Sequence, residues 1–244
     1  IFTIVTTATP LLIAAMGELV VERSGVLNLG VEGMMVMGAV AGFAAALITG
    51  STALGILAAI LAGVMMSLLF GFLTLSLVAN QVASGLALTL LGIGLSGLIG
   101  ESFVGLPGLK MPTLLGVDAL VPFSLFLVAA VSYALFRTKA GLVVRAVGNS
   151  HHSAHALGYR VIAIRYLSVM FGGACAGLAG AYLSLAYTPQ WIENMTAGRG
   201  WIALALVVFA SWRPLRTLFG AYLFGAVSIM GFVVQSMGLG IPSQ

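Results

Sequence analysis

Unbroken apolar segments of membrane-crossing length decide what this chain can become. They cover residues 2–21, 27–48, 54–77, 84–99, 120–136 and 167–187, and a shorter or more closely spaced pair follows at 201–209 and 215–234. An α-helix crosses the ~30 Å hydrocarbon layer with about 20 residues, and most of these runs approach that length. Barrel strands do not fit, because they alternate apolar and polar positions over about ten residues between turns. With 7% charged and 61% hydrophobic residues, the chain cannot clothe a water-soluble globule in polar groups. The expected fold is an all-α polytopic membrane protein, a single transmembrane domain over residues 1–244 with about eight transmembrane or partly membrane-embedded helices.

Charge gives the orientation. If successive spans alternate in direction and 201–209 counts as a crossing, Arg23, Arg137, Lys139, Arg145, Arg160, Arg165, Arg213 and Arg216 share one side, leaving Lys110 and Arg199 on the other. Basic residues accumulate on the cytoplasmic side, so the larger group faces inward and the protein reads as a multi-pass protein of the inner membrane. The net charge of +4 therefore reports sidedness, not a nucleic-acid partner. The first apolar run lacks the basic lead of a cleaved targeting segment. The start at Ile1 and the stop at Gln244 lead to the expectation that one or both natural termini lie beyond this stretch.

Many of the 32 glycines lie within spans, and small residues let helix backbones approach closely in lipid. Gly173, Gly177 and Ala181 share one helical face, as do Gly38 and Gly42. Cys175 reads as a small packing residue of that kind. Residues 22–38, "ERSGVLNLGVEGMMVMG", place Asn28 and Glu32 where an ordinary span would carry Leu and Val. Such groups either brace a helix start or broken segment, or touch a polar permeant. Asn80 and Gln81 sit in a connection with no room for a loop, so they are expected to tie two helix ends together. The opposite connections, 100–122 and 188–201, suit interfacial helices with Trp191 at headgroup level, or docking of an external protein.

Several chemistries are excluded. His151, His152 and His155 have no neighbouring Glu to make a zinc-protease motif, and no histidine lies in a span to serve an intramembrane serine protease. The three histidines read as solvated loop residues rather than metal ligands. No Gly-rich loop followed by Lys and Ser or Thr is present, so energy from ATP must arrive through another subunit.

Residues 137–165 hold half of the basic residues and all three histidines without one carboxylate. Within this cytoplasmic loop "NSHHSAHALG", residues 149–158, reads as a short helix capped by Asn149 or Ser150 and stopped by Gly158. Tethering to anionic lipid explains the basic flanks. A helix seated in a partner's groove explains the small, Ala-rich middle as well.

Four stretches, "ERSGVLNLGVEGMMVMGA" (22–39), "NQVASGLALTLLG" (80–92), "GLVVRAVGNSHHSAHALGYRV" (141–161) and "AGRGWIALALVVFASWRPLRTLFGAYLFGA" (197–226), resemble the permease subunits of binding-protein-dependent ABC importers. The likeness is to the nucleoside and simple-sugar branch of the group that includes branched-chain amino acid and ribose permeases. It implies a non-enzymatic translocation subunit that binds no cofactor. Its partners would be a second, homologous or identical permease, ABC ATPase subunits holding ATP and Mg, an external substrate-binding protein and membrane lipid. By this resemblance Asn149, Ser150, His151, His152, Ala154, His155, Ala156 and Gly158 form a coupling helix against the ATPase, and Asn28, Glu32, Asn80 and Gln81 line or brace the translocation path. The chain departs from the pattern in reading "NSHHSAH" where an acidic residue or Pro is usual, and in stopping before the family's further span. The function implied is import of a nucleoside or simple sugar. A branched-chain amino acid or ribose-type permease is the alternative, and a secondary transporter, relying on Glu32 and Glu18 for ion coupling, is another.

Overall fold

A computed structural model describes residues 2–109, 111, 113–114 and 117–236, so Lys110 and the stop at Gln244 lie outside the described residues. The chain forms α1 (Phe2–Arg23), α2 (Val31–Thr49), α3 (Thr52–Gly71), α4 (Gln81–Gly100), α5 (Leu120–Arg137), α6 (Lys139–Asn149), α7 (His151–Ala156), α8 (Val161–Tyr182), α9 (Arg199–Phe209) and α10 (Pro214–Ser236). Five-residue π-helical turns, Phe72–Ser76 and Leu183–Tyr187, prolong α3 and α8. Among the described residues the strands are limited to Thr113–Leu114 paired antiparallel with Val117–Asp118.

With those extensions, α1 to α5 and α8 are long and apolar enough to cross a membrane. The all-α polytopic fold is the one expected from the apolar runs. Turn chemistry fixes the helix ends. Gly25 and Gly50 take positive φ, 81° and 68°, just past α1 and α2, where a Cβ would be strained. Asn80 and Thr138 accept the backbone N–H of Ala83 and Gly141 at 3.0 and 3.1 Å, capping α4 and α6.

The centre of the bundle is α8, packed on α1, α2 and α3. Its small residues permit that. A Cβ on Gly177 would fall 2.1 Å from the Ala59 carbonyl oxygen, and one on Gly180 2.0 Å from that of Met35. Facing them, a Cβ on Gly38 would meet the Gly177 Cα at 2.4 Å, and one on Gly63 the Gly173 oxygen at 2.1 Å. Backbone against backbone replaces the missing hydrophobic drive as the source of attraction. Cys175 is buried in the same packing, as its setting implied.

Arg23, Arg145 and Arg165 gather at one end. Arg23 donates from Nε and Nη2 to the Trp212 carbonyl oxygen at 3.3 and 3.0 Å, Arg165 donates from Nε to that of Ser24 at 3.2 Å, and Arg23 and Arg145 lie over the Phe136 ring. These contacts bring the ends of α1, α5, α6 and α9 and the start of α8 together, matching the side assignment made from charge.

Trp191 lies at the end of a span, as expected, but its side chain turns into the protein and not toward lipid. It is 1% exposed and packed so tightly on Gly100 that a Cβ there would overlap the indole. It also bridges to Val104, pinning the connection after α8 to the far end of α4.

Candidate functional site

From Trp191 the backbone does not return as a full helix. Residues 192–198 run non-helically inward to the first turn of α2, and only there does α9 begin. At ~1.5 Å per residue its 11 residues span about half of the hydrocarbon layer. Non-helical backbone at that depth must find partners inside the protein, and Glu32 supplies them. Its carboxylate accepts from Thr196 Oγ1 at 2.5 Å, Gly198 N at 2.8 Å and Gly200 N at 2.6 Å. Glu32 thus lies in the opening turn of α2 and at the N-terminus of α9, where both helix dipoles favour negative charge.

Residues 24–30, between α1 and α2, meet the same junction. Asn28 is wholly buried; its Oδ1 accepts Gly30 N at 3.0 Å, while its N and Nδ2 donate to the two Glu18 oxygens at 3.3 and 3.4 Å. Gln81 Oε1 accepts Leu27 N at 2.9 Å, and the Leu29 carbonyl oxygen accepts from both Thr89 Oγ1 (3.1 Å) and Trp201 Nε1 (3.3 Å). The segment is therefore stitched to α1, α4 and α9. Asn28, Glu32 and Gln81 come together here, whereas Asn80 sits beside them as the cap of α4.

The second set lies at the basic end. Asn149 closes α6, the Ser150 hydroxyl accepts Ser153 N at 3.3 Å to start α7, and Gly158 at φ +84° ends its turn. Of α7 only Ala154 is buried, and with Val147 and Val161 it forms a small apolar cluster separate from the main core. His151, His152, His155 and Ala156 are exposed. A groove of about 660 Å³ runs between α7 and the start of α8, lined by His151, His155, Tyr159, Arg160, Ile162 and Tyr166. Among the described residues, no group of three or more His, Cys, Asp or Glu is placed to hold a metal ion.

The helical bundle, a broken membrane segment and an exposed helix at the basic end agree with the comparisons. The family described as "Branched-chain amino acid transport system / permease component" matches residues 1–242. The chain belongs to this permease family. TsgC13 of Haloferax volcanii, provisionally named a glucose ABC transporter permease, is 44% identical over 253 residues, covering 96% of this chain and 77% of its own length. The guanosine ABC transporter permease NupQ of Bacillus subtilis is 32% identical over 254 residues, 92% of this chain and 80% of its own. The nucleoside ABC transporter permease NupC of Lactococcus lactis is 30% identical over 252 residues, 93% and 80% respectively. No solved structure matches the chain. The protein is thus a multi-pass permease subunit of an ABC importer, a class that works with ATPase and binding-protein partners.

Sequence reasoning on this permease missed the partners of Glu32. Thr196, Gly198 and Gly200 precede a run too short to cross alone, and that short length was the available signal. A Cβ on Gly200 would approach the Glu32 Cα to 2.7 Å, so the second glycine of "AGRG" is what lets α9 reach the carboxylate.

Proposed function

We propose that this permease carries a nucleoside or a simple sugar across the inner membrane by alternating access. An external binding protein delivers the solute, a second permease completes the pathway, and ATP with Mg is hydrolysed on partner subunits. One observation carries the coupling: α7 is exposed on nearly every face, yet it is fixed through Ala154, Val147 and Val161 to α6 and the start of α8. Because α8 packs on α1, α2 and α3, a displacement of α7 is delivered to the centre of the bundle. Asn149, Ser150, His151, His152, Ala154, His155, Ala156 and Gly158 then form the ATPase-facing handle, with Ala154 turned inward as its anchor.

The chemistry of the junction around Glu32 suits a carrier of a neutral solute better than one that binds an ion. Both buried carboxylates there are engaged, Glu18 by Asn28 and Glu32 by Thr196 and two backbone N–H groups, which favours a bracing role over ion coupling. The sugar and nucleoside names of the three relatives support the substrate class.

The test is reconstitution in liposomes with the ATPase subunits, the second permease and the binding protein. ATP-dependent uptake of labelled nucleosides and hexoses is expected, without uptake of leucine. Replacing His152 and Ala156 with Glu should abolish stimulation of ATP hydrolysis by loaded binding protein. Unchanged stimulation would remove α7 from the coupling path, and leucine uptake alone would overturn the substrate assignment.

A further inference from the structure

At the basic end, α5 and α10 leave between them a cleft of about 510 Å³ lined by Ser132, Phe136, Arg213, Pro214, Leu215 and Arg216. Arg213 and Arg216 are exposed at its mouth. Arg23 and Arg145 lie over the Phe136 ring at 5.8 and 5.1 Å from its centroid. Arg23 also feels the like charges of Arg145 and Arg213. Glu22, the residue before Arg23, accepts a hydrogen bond from the Trp212 indole and forms no ion pair among the described residues. Among the described residues, none of the four guanidinium groups has a carboxylate partner. Like charges held together at the edge of a low-dielectric layer call for a counter-anion.

The shape of the cleft says what kind. Ser132 lies more than one turn inside the Arg137 end of α5, so the cleft reaches from headgroup level past the first turn of a membrane-spanning helix. Leu215 lines it, and Phe219, one turn further along α10, is 72% exposed. A soluble anion would satisfy the guanidinium groups and leave this apolar wall wet. An acidic side chain of a soluble partner would have to enter below the membrane surface to reach Ser132.

We infer that the cleft between α5 and α10 binds an anionic phospholipid of the cytoplasmic leaflet, its phosphodiester held by Arg213 and Arg216 and its acyl chain lying along Leu215 and Phe219. Arg23 and Arg145 add positive potential without touching the lipid. Basic pockets between membrane helices take such headgroups, and each well-placed arginine strengthens attraction to an anionic lipid about fivefold.

The test uses the permease purified with its ATPase partners in mild detergent. Phosphatidylglycerol or phosphatidylcholine is added, and retained lipid is counted by native mass spectrometry. Phosphatidylglycerol should be retained preferentially, and the double variant R213Q/R216Q should weaken its retention about thirtyfold. The variant S132W fills the cleft without changing any charge and should lose the lipid as well. Equal retention of the two lipids, or retention unaffected in either variant, would overturn the inference. Displacement of phosphatidylglycerol by millimolar inorganic phosphate would assign the cleft to a free anion instead. If the arginine substitutions release the ATPase but leave lipid retention intact, the cluster serves a protein carboxylate and the lipid site falls.

Discussion

The Glu32 carboxylate, in the first turn of α2, accepts the backbone N–H of Gly200, in the first turn of α9, at 2.6 Å. The starts of two helices, at residues 168 apart in sequence, are joined by one side chain. Replacing Glu32 with Ala would leave the Thr196 hydroxyl and the Gly198 and Gly200 N–H groups without an acceptor. At about 1–3 kcal/mol for each buried orphan donor, a loss of at least ~3 kcal/mol is expected. Glu32→Gln retains one acceptor oxygen and should fall between Ala and the parent. The buried Cys175 thiol is a built-in reporter: its reaction with a thiol-sensitive dye during heating should come earlier in the order Ala, Gln, parent.

The α8 contacts give a second prediction, with its own control. Gly180→Ala drives a Cβ to 2.0 Å from the Met35 oxygen, so α2 and α8 must separate. Overpacking of this kind costs about 1–3 kcal/mol. Gly94, on α4, has nothing within 4 Å of its notional Cβ, and Gly94→Ala should leave the melting midpoint unchanged or raise it slightly. Equal destabilisation by both would show that glycine content, not helix contact, sets stability.

These two sites show how far the sequence was legible. The stripe Gly173, Gly177, Ala181 could be read because contact in lipid selects small residues at helical spacing, a purely local pattern. The end of the bundle carrying the arginines could be read from their sequence positions, since each cluster ends a span. The partners of Glu32 could not. An acceptor for non-helical backbone is chosen by tertiary approach, and nothing at residues 30–34 encodes that the matching donors lie at 196–200. The burial of Trp191 was hidden for a related reason: an indole at a span end suits a membrane interface, and only the tertiary approach of Gly100 provides the flat surface that buries it.

Ala154 offers a way to separate the handle from the bundle. It is the only residue of α7 that packs inward, against Val147 and Val161, and this cluster is apart from the main core. Ala154→Asp should therefore loosen α7 without shifting the melting midpoint reported by Cys175. In reconstituted transporter, stimulation of ATP hydrolysis by the loaded binding protein should fall at least tenfold while basal hydrolysis persists, the ~1.4 kcal/mol signature of a lost mechanical link. A fall in the melting midpoint with stimulation intact would instead place Ala154 in the structural core.

Sidedness can be measured directly. Glu101 follows the last turn of α4, at the end where Trp191 bridges Val104, while His151 opens α7 among the arginines at the other end. Both side chains are exposed, and the native Cys175 is buried, so single cysteines at these positions can be labelled without removing it. The preference of basic residues for the cytoplasm requires that a membrane-impermeant maleimide reach E101C in intact spheroplasts and H151C only in inverted vesicles. The Arg23 contact to Trp212 makes the same demand of the turn between α9 and α10, so S211C should label together with H151C. If S211C were labelled from outside while H151C was not, α9 and residues 192–198 would fail to carry the chain back across the bilayer, and the half-length helix would have to be a re-entrant hairpin.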